Sequence, residues 1–195
     1  MNNTNPFIYS DDNKRYHTLN YYNKSSFNSK VFKAVIDAGH LYPNKDGTNG
    51  TGGCIYCMGG SGYFTEKSDG EIYDSVKRQL AAEKERIYKK HPDSLITAYF
   101  QANTNTYAPV ATLKEAYTAA LDFGVHGISI GTRADCLPDD VIALLCDINS
   151  KTHLTVELGL QTIHDKSAQI INRCYTYDEF LELSLIHISE PTRPE

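Results

Sequence analysis

The strongest constraint on this chain is a pattern that recurs four times: a short apolar run, a polar loop, then a segment with helical spacing. The apolar runs are Val31 to Asp37 (VFKAVID), Ser94 to Gln101 (SLITAYFQ), Val125 to Gly131 (VHGISIG) and His153 to Leu160 (HLTVELGL). Between and after them lie four helical segments. Residues 71–90 carry Ile72, Val76, Leu80 and Ile87 at helical spacing. Thr112 to Gly124 has Thr112 as expected N-cap and Gly124 as stop. Pro138 to Asn149 places Pro138 in its first turn, and His164 to Arg173 opens a fourth helix. Strands joined by helical crossovers run parallel. The strands are short and mostly apolar, as expected of a sheet covered on both faces. An open doubly wound sheet and a β/α barrel both fit, and both put ligand sites at the C-terminal ends of the strands. The polar residues cluster there: a glycine-rich loop after strand one, QANTNT after strand two, GTRADC after strand three, and Glu157 to Thr162 at the end of strand four.

Composition excludes several classes. With 41% hydrophobic residues the chain can bury a core, and its net charge of −5 includes no long run of one sign. Nucleic-acid binding therefore has no clustered Lys/Arg footprint. The N-terminus lacks the basic and apolar regions of a signal peptide, and no run is long enough for a membrane helix. A cytoplasmic protein is expected, so Cys54, Cys57, Cys136, Cys146 and Cys174 are read as thiols or metal ligands, not disulfides.

The loop after strand one, Ala38 to Cys57 (AGHLYPNKDGTNGTGGCIYC), ends in Cys-x-x-Cys. A thioredoxin-like pair needs its first thiol at a helix N-terminus, which the glycines after Cys57 oppose. Structural zinc needs four ligands, and no second pair follows at suitable spacing. A phosphate loop lacks the Gly-Lys-Ser/Thr ending. An iron–sulfur cluster remains, held by thiolates on a flexible loop. Asp46 reads as a turn former, and Cys136, Cys146 and Cys174 as packing or surface thiols, with Cys146 on an apolar helix face.

These residues resemble the cluster loop of the radical S-adenosylmethionine (SAM) enzymes, in particular the YhcC-like uncharacterised group. The resemblance continues through AYFQANTNTYAPV, GTRADCLPDDVIALL, VELGLQTIHDKS and INRCYTYDEF, covering nearly everything from Arg15 to Glu182. It implies a partial (β/α)6 barrel, of which four units are present. It further implies a [4Fe–4S] cluster whose open iron chelates SAM, and reductive cleavage of SAM to a 5′-deoxyadenosyl radical that acts on an unknown substrate, small or macromolecular. A flavodoxin- or ferredoxin-type reductant is implied as partner. Cys54 and Cys57 match two cluster ligands, and Tyr56 matches the aromatic beside the adenine. Gln101, Asn103, Thr132, Arg133, Glu157 and Gln161 match SAM-binding strand ends. Tyr42 stands where the first cluster cysteine is expected, and Arg173 to Tyr175 (RCY) stands where relatives carry Arg-Gly-His. A read error or damaged gene, an inactive relative, and a site with a recruited ligand all account for Tyr42. On its face, Glu157 in an apolar strand is a buried carboxylate that needs a partner, and one such as Arg133 or Arg173, serving structure alone, is the alternative to a SAM-binding role.

Three segments are expected: a 1–30 extension with little core of its own, a truncated barrel over 31–182, and a tail over 183–195. Leu183 to Arg193 (LSLIHISEPTR) breaks the helical pattern and matches the translation of a transposon-type sequencing adapter. The expected function is a radical SAM enzyme impaired in this copy. The alternatives are a non-catalytic relative that binds SAM or a partner without a cluster, and a zinc-stabilised α/β binding domain.

Overall fold

A computed structural model describes residues 14–55, 57, 69–101 and 103–188. Four parallel strands, β1 (Val31–Ile36), β2 (Leu95–Phe100), β3 (Gly127–Thr132) and β4 (His153–Leu158), lie in sequential order. The register aligns Val31 with Leu95, Thr97 with Gly127, and Gly127 with His153. Sequential order is the finding that separates the two candidate architectures. A doubly wound sheet reverses strand order at a switch point, whereas a barrel adds each strand beside the last. The sheet is the barrel type, and with four strands it is a partial barrel.

Helices α2 (Ile72–Tyr88), α3 (Val110–Phe123) and α4 (Asp139–Asn149) make the crossovers. Alternation along the strands sends Ala34, Ile36, Ile96, Ala98, Phe100, Ile128 and Ile130 into a core with Val76, Leu80, Leu113, Tyr117, Val141 and Ile148. Each large apolar side chain buried there contributes about 1.5–3 kcal/mol. The opposite face is not the apolar surface expected from the strand sequences. It carries Lys33, Thr97, Ser129, Thr155 and Glu157, which border a small cleft with Tyr22, Asn23 and Phe27. Edge strand β4 is largely exposed, with Val156 at 36%.

Helix boundaries differ from the expectation in two places. Pro109 is the cap residue of α3, and Thr112 sits in the first turn, its N–H bonding Pro109 O at 2.9 Å. The fixed φ of proline starts the helix before threonine can cap it. Pro138 likewise precedes α4 as its cap, followed by Asp139 and Asp140, which favour the positive end of the helix. Gly124 ends α3 at φ 81, as expected.

The N-terminal region holds more structure than expected. Helix α1 (Leu19–Phe27) is capped by the Thr18 hydroxyl, which accepts from Tyr21 N at 3.0 Å. Its Phe27 ring packs edge-on against His126 and His153, at 4.4 and 5.2 Å between centroids. An aromatic anchor does the work that aliphatic periodicity was expected to signal. After the short α5 (Asp165–Ile170), α6 runs from Tyr177 to Ile188 without a break at Leu183. Residues 189–195 lie outside the described residues. No helix among the described residues is long and apolar enough to cross a membrane.

Candidate functional site

The loop after β1 is set by hydrogen bonds that start at the strand end. Gln79 on α2 receives Asp37 N at 2.9 Å and donates to Asp37 O at 2.8 Å, and the Asp37 carboxylate accepts Gly39 N at 2.8 Å. Asp46 accepts Thr48 N at 3.0 Å, the turn role expected of it, and also the Tyr107 hydroxyl at 2.9 Å. Asn49 donates to Asp135 at 2.9 Å, tethering the loop to the end of β3.

Tyr42, Cys54 and Cys57 meet at this loop. The Tyr42 hydroxyl faces Cys57 and the backbone of Asn103, with Cys54 close by. Burial and the nearby thiols push the phenol well above its ordinary value, so it stays protonated. Burial also raises the Cys57 thiol, against the opposing pull of the Tyr42 hydroxyl and Arg133. Cys57 N donates to Cys54 O at 3.0 Å, closing the Cys-x-x-Cys turn.

Two asparagines that sequence reasoning passed over hold this geometry. Asn44, fully buried, donates from Nδ2 to Cys54 Sγ at 3.3 Å and to Asn172 O at 2.7 Å. Asn172 donates from its own amide to Thr51 O and Gly53 O, both at 2.8 Å. The loop is therefore fastened to the segment after α5. Arg173, 1% exposed, secures that segment by donating to the carbonyls of Leu160, Thr162 and Tyr175 at 2.6 to 2.9 Å. Only the PNKDG and INR contexts signal these residues, and asparagine in such contexts reads first as a turn former.

The other predicted residues divide. Asn103 reaches the cysteine loop through its backbone, at φ 64, and exposed Gln101 follows β2, its N–H 3.5 Å from Ile36 O. Arg133 is buried, forks onto the Asp135 carboxylate at 2.7 and 2.9 Å, and lies 4.8 Å over the Tyr175 ring. Thr132 shares a 2.5 Å contact with the Thr106 hydroxyl. Glu157 pairs with neither Arg133 nor Arg173: it binds Lys33 and accepts the Tyr99 hydroxyl at 2.8 Å, with Lys33 3.9 Å over the Tyr99 ring. Both arginines are held by nearer oxygens, which leaves Glu157 to the polar face of the sheet. Gln161, exposed and at φ 61, folds back beside Gly159. Tyr56 lies outside the described residues. Cys136 is buried at 5% exposure, whereas Cys146 is a surface thiol beside an apolar groove between α4 and β4.

The donor set decides what the site can hold. Among the described residues, no three His, Cys, Asp or Glu side chains gather closely enough for a single metal ion. Cluster ligands stand further apart, because each binds a different iron. Cys54 and Cys57 suit that arrangement, while a protonated phenol at 42 does not. Asn44 Oδ1 and Thr104 Oγ1, both buried, have no hydrogen-bond partner among the described residues.

The radical SAM superfamily matches residues 47–184, a span that includes both cysteines and begins after Tyr42. The uncharacterised protein YtqA of Bacillus subtilis is 47% identical over 184 residues, covering 93% of this chain and 56% of that protein. YhcC of Escherichia coli is 37% identical over 153 residues, covering 77% and 47%. The uncharacterised protein MJ0486 of Methanocaldococcus jannaschii is 33% identical over 168 residues, covering 83% and 49%. The chain spans about half the length of these curated relatives.

Proposed function

The chain belongs to the radical SAM superfamily, in its YhcC-like uncharacterised group, and we propose that its site holds a [4Fe–4S] cluster and SAM. The supporting observation is the convergence of positions 42, 54 and 57 at the C-terminal end of β1, where Tyr42 meets Cys57. In this reading Cys54 and Cys57 each lose a proton and bind iron. When bound, the cluster and SAM together supply reductive cleavage of the sulfonium to a 5′-deoxyadenosyl radical.

The residues of the chain position and protect that chemistry. Asn44 holds Cys54 Sγ in place, and Asn172 fixes the glycine backbone on either side. Gln101 and Asn103 stand after β2 to receive the amino group of SAM, with Thr132 at the end of β3 and Arg133 after it. Glu157 in β4 and Gln161 after it are assigned to the ribose and carboxylate end. Tyr56 is assigned to the adenine. The substrate is a small molecule or macromolecule, and a flavodoxin- or ferredoxin-type protein delivers the electron. The five thiols, none in a disulfide, suit a reducing compartment such as the cytoplasm.

The test is anaerobic reconstitution with iron and sulfide, then dithionite and SAM. Equal amounts of methionine and 5′-deoxyadenosine are expected. A protein that takes up no cluster yet binds SAM supports the second reading, a non-catalytic relative without a cluster, which the phenol at position 42 favours.

A further inference from the structure

We propose that Asn44 is a positioning residue that sets the reduction potential of the cluster, through the hydrogen bond its amide donates to the Cys54 sulfur. This inference rests on the cluster reading above and names the residue that governs how readily the site accepts an electron. Asn44 Nδ2 lies 3.3 Å from Cys54 Sγ and 2.7 Å from Asn172 O. A carbonyl oxygen only accepts, so Asn172 O fixes which end of the amide is the nitrogen and leaves the second N–H for the sulfur. The opposite orientation would set oxygen against both an oxygen and a sulfur. Asn44 is fully buried, so its N–H groups act without screening by solvent.

The backbone holds this donor in place. Asn44 O accepts Gly53 N at 2.8 Å, one residue before Cys54, while Asn172 O ties the amide to the segment after α5. Asn44 thus grips Cys54 by its side chain and the residue before it by its main chain. Cys54 Sγ lies 3.8 Å from Asn172 O, a contact it makes as a thiol donor. Once that proton has left for solvent and iron is bound, the Asn44 N–H is the donor that remains at the sulfur among the described residues. Reduction adds one electron, from a flavodoxin- or ferredoxin-type protein or from dithionite, and moves no proton. Part of the added charge falls on the ligand sulfurs, where a hydrogen bond stabilises it and raises the potential.

The experiment uses the full chain, reconstituted anaerobically with ferrous iron and sulfide, and reads the cluster's potential by redox titration. Asn44→Leu removes the donor and keeps most of the volume, and Asn44→Ala is the second variant should the first not fold, which circular dichroism checks. Asn172→Gly suits φ 58 and removes the side-chain bonds to Thr51 O and Gly53 O, loosening the same loop with the Asn44 donor left intact. In the Asn44 variants the cluster should be at least ten-fold harder to reduce, a shift of ~59 mV to more negative potential for one electron. Asn172→Gly should stay near the parent. An unchanged potential in the Asn44 variants, or an equal shift in Asn172→Gly, overturns the proposal. A folded Asn44 variant that holds no cluster overturns it too, because the residue then serves binding and not the potential. If the parent takes up no cluster, the same comparison in the Tyr42→Cys background decides by the same shift. If that background also stays empty, the cluster reading falls and this inference with it.

Discussion

Tyr42 lies beside Cys57, with its hydroxyl turned toward the thiol. The hydroxyl favours the Cys57 thiolate, while burial opposes it. Tyr42→Phe removes the favourable contribution. Alkylation of Cys57 in the metal-free chain at pH 8 should slow by roughly two- to ten-fold, read site by site by mass spectrometry. An unchanged or faster rate means the hydroxyl does not act on Cys57.

Glu157 offers a way to tell a structural carboxylate from one that binds a cofactor. Its ion pair with Lys33 is more than a third exposed on each side, so the pair contributes only about 0–1 kcal/mol. Glu157→Gln should leave urea unfolding nearly unchanged. SAM affinity of the reconstituted protein should fall about ten-fold or more, corresponding to at least ~1.4 kcal/mol. Loss of stability with unchanged affinity assigns Glu157 to the fold alone.

Arg173 should behave in the opposite way. Its buried guanidinium serves three carbonyls, and no other residue can fork to all of them. Arg173→Lys should cost about 2–4 kcal/mol by chemical denaturation. A cost below ~0.5 kcal/mol would show that the segment holds its shape by other means.

His40 carries the clearest pH signature. Burial lowers it to about 4, against the opposing pull of Asp37 and the Asn105 side chain. The unfolded chain takes up a proton near pH 6.5 that the folded chain refuses. Stability is therefore present above pH 6.5 and is lost as pH falls toward 4. His40→Gln should flatten this part of the profile in melts between pH 7.5 and 5. A variant that loses stability as steeply as the parent places the titration elsewhere.

Gly50 and Cys174 should be energetically coupled. Gly50→Ala meets both a positive φ of 106 and the Cys174 sulfur. The φ penalty persists in any background, but the contact vanishes in Cys174→Gly. The cost of Gly50→Ala should drop by about 0.5–2 kcal/mol in that background, measured as a double-mutant cycle. Strict additivity would put the two residues out of contact.

Much of the fold could be read from the sequence because hydrophobic period and strand–helix alternation are local signals. The four strands and the crossover helices follow from them, and the family resemblance named the barrel before strand order showed it. Helix α1 was hidden because its anchor is one aromatic, Phe27, against two distant histidines. The partner of Glu157 was misjudged for a similar reason. Lys33 is 124 residues away in sequence and adjacent only across the sheet. Cys54 and Cys57 were singled out by their Cys-x-x-Cys spacing, and Tyr42 by the family resemblance. Asn44, Asn172 and Arg173 were not, since their work is done on carbonyls that sequence does not position. Cys174 read as a packing or surface thiol, and only the fold sets its sulfur against Gly50.

The most direct measurement is the metal content of the anaerobically reconstituted chain beside its Cys54→Ala/Cys57→Ala double variant. The account predicts about four irons and four sulfides per chain, with a broad band near ~400 nm, all lost in the double variant. Stoichiometric zinc without that band, or iron that persists after both cysteines are removed, would contradict it.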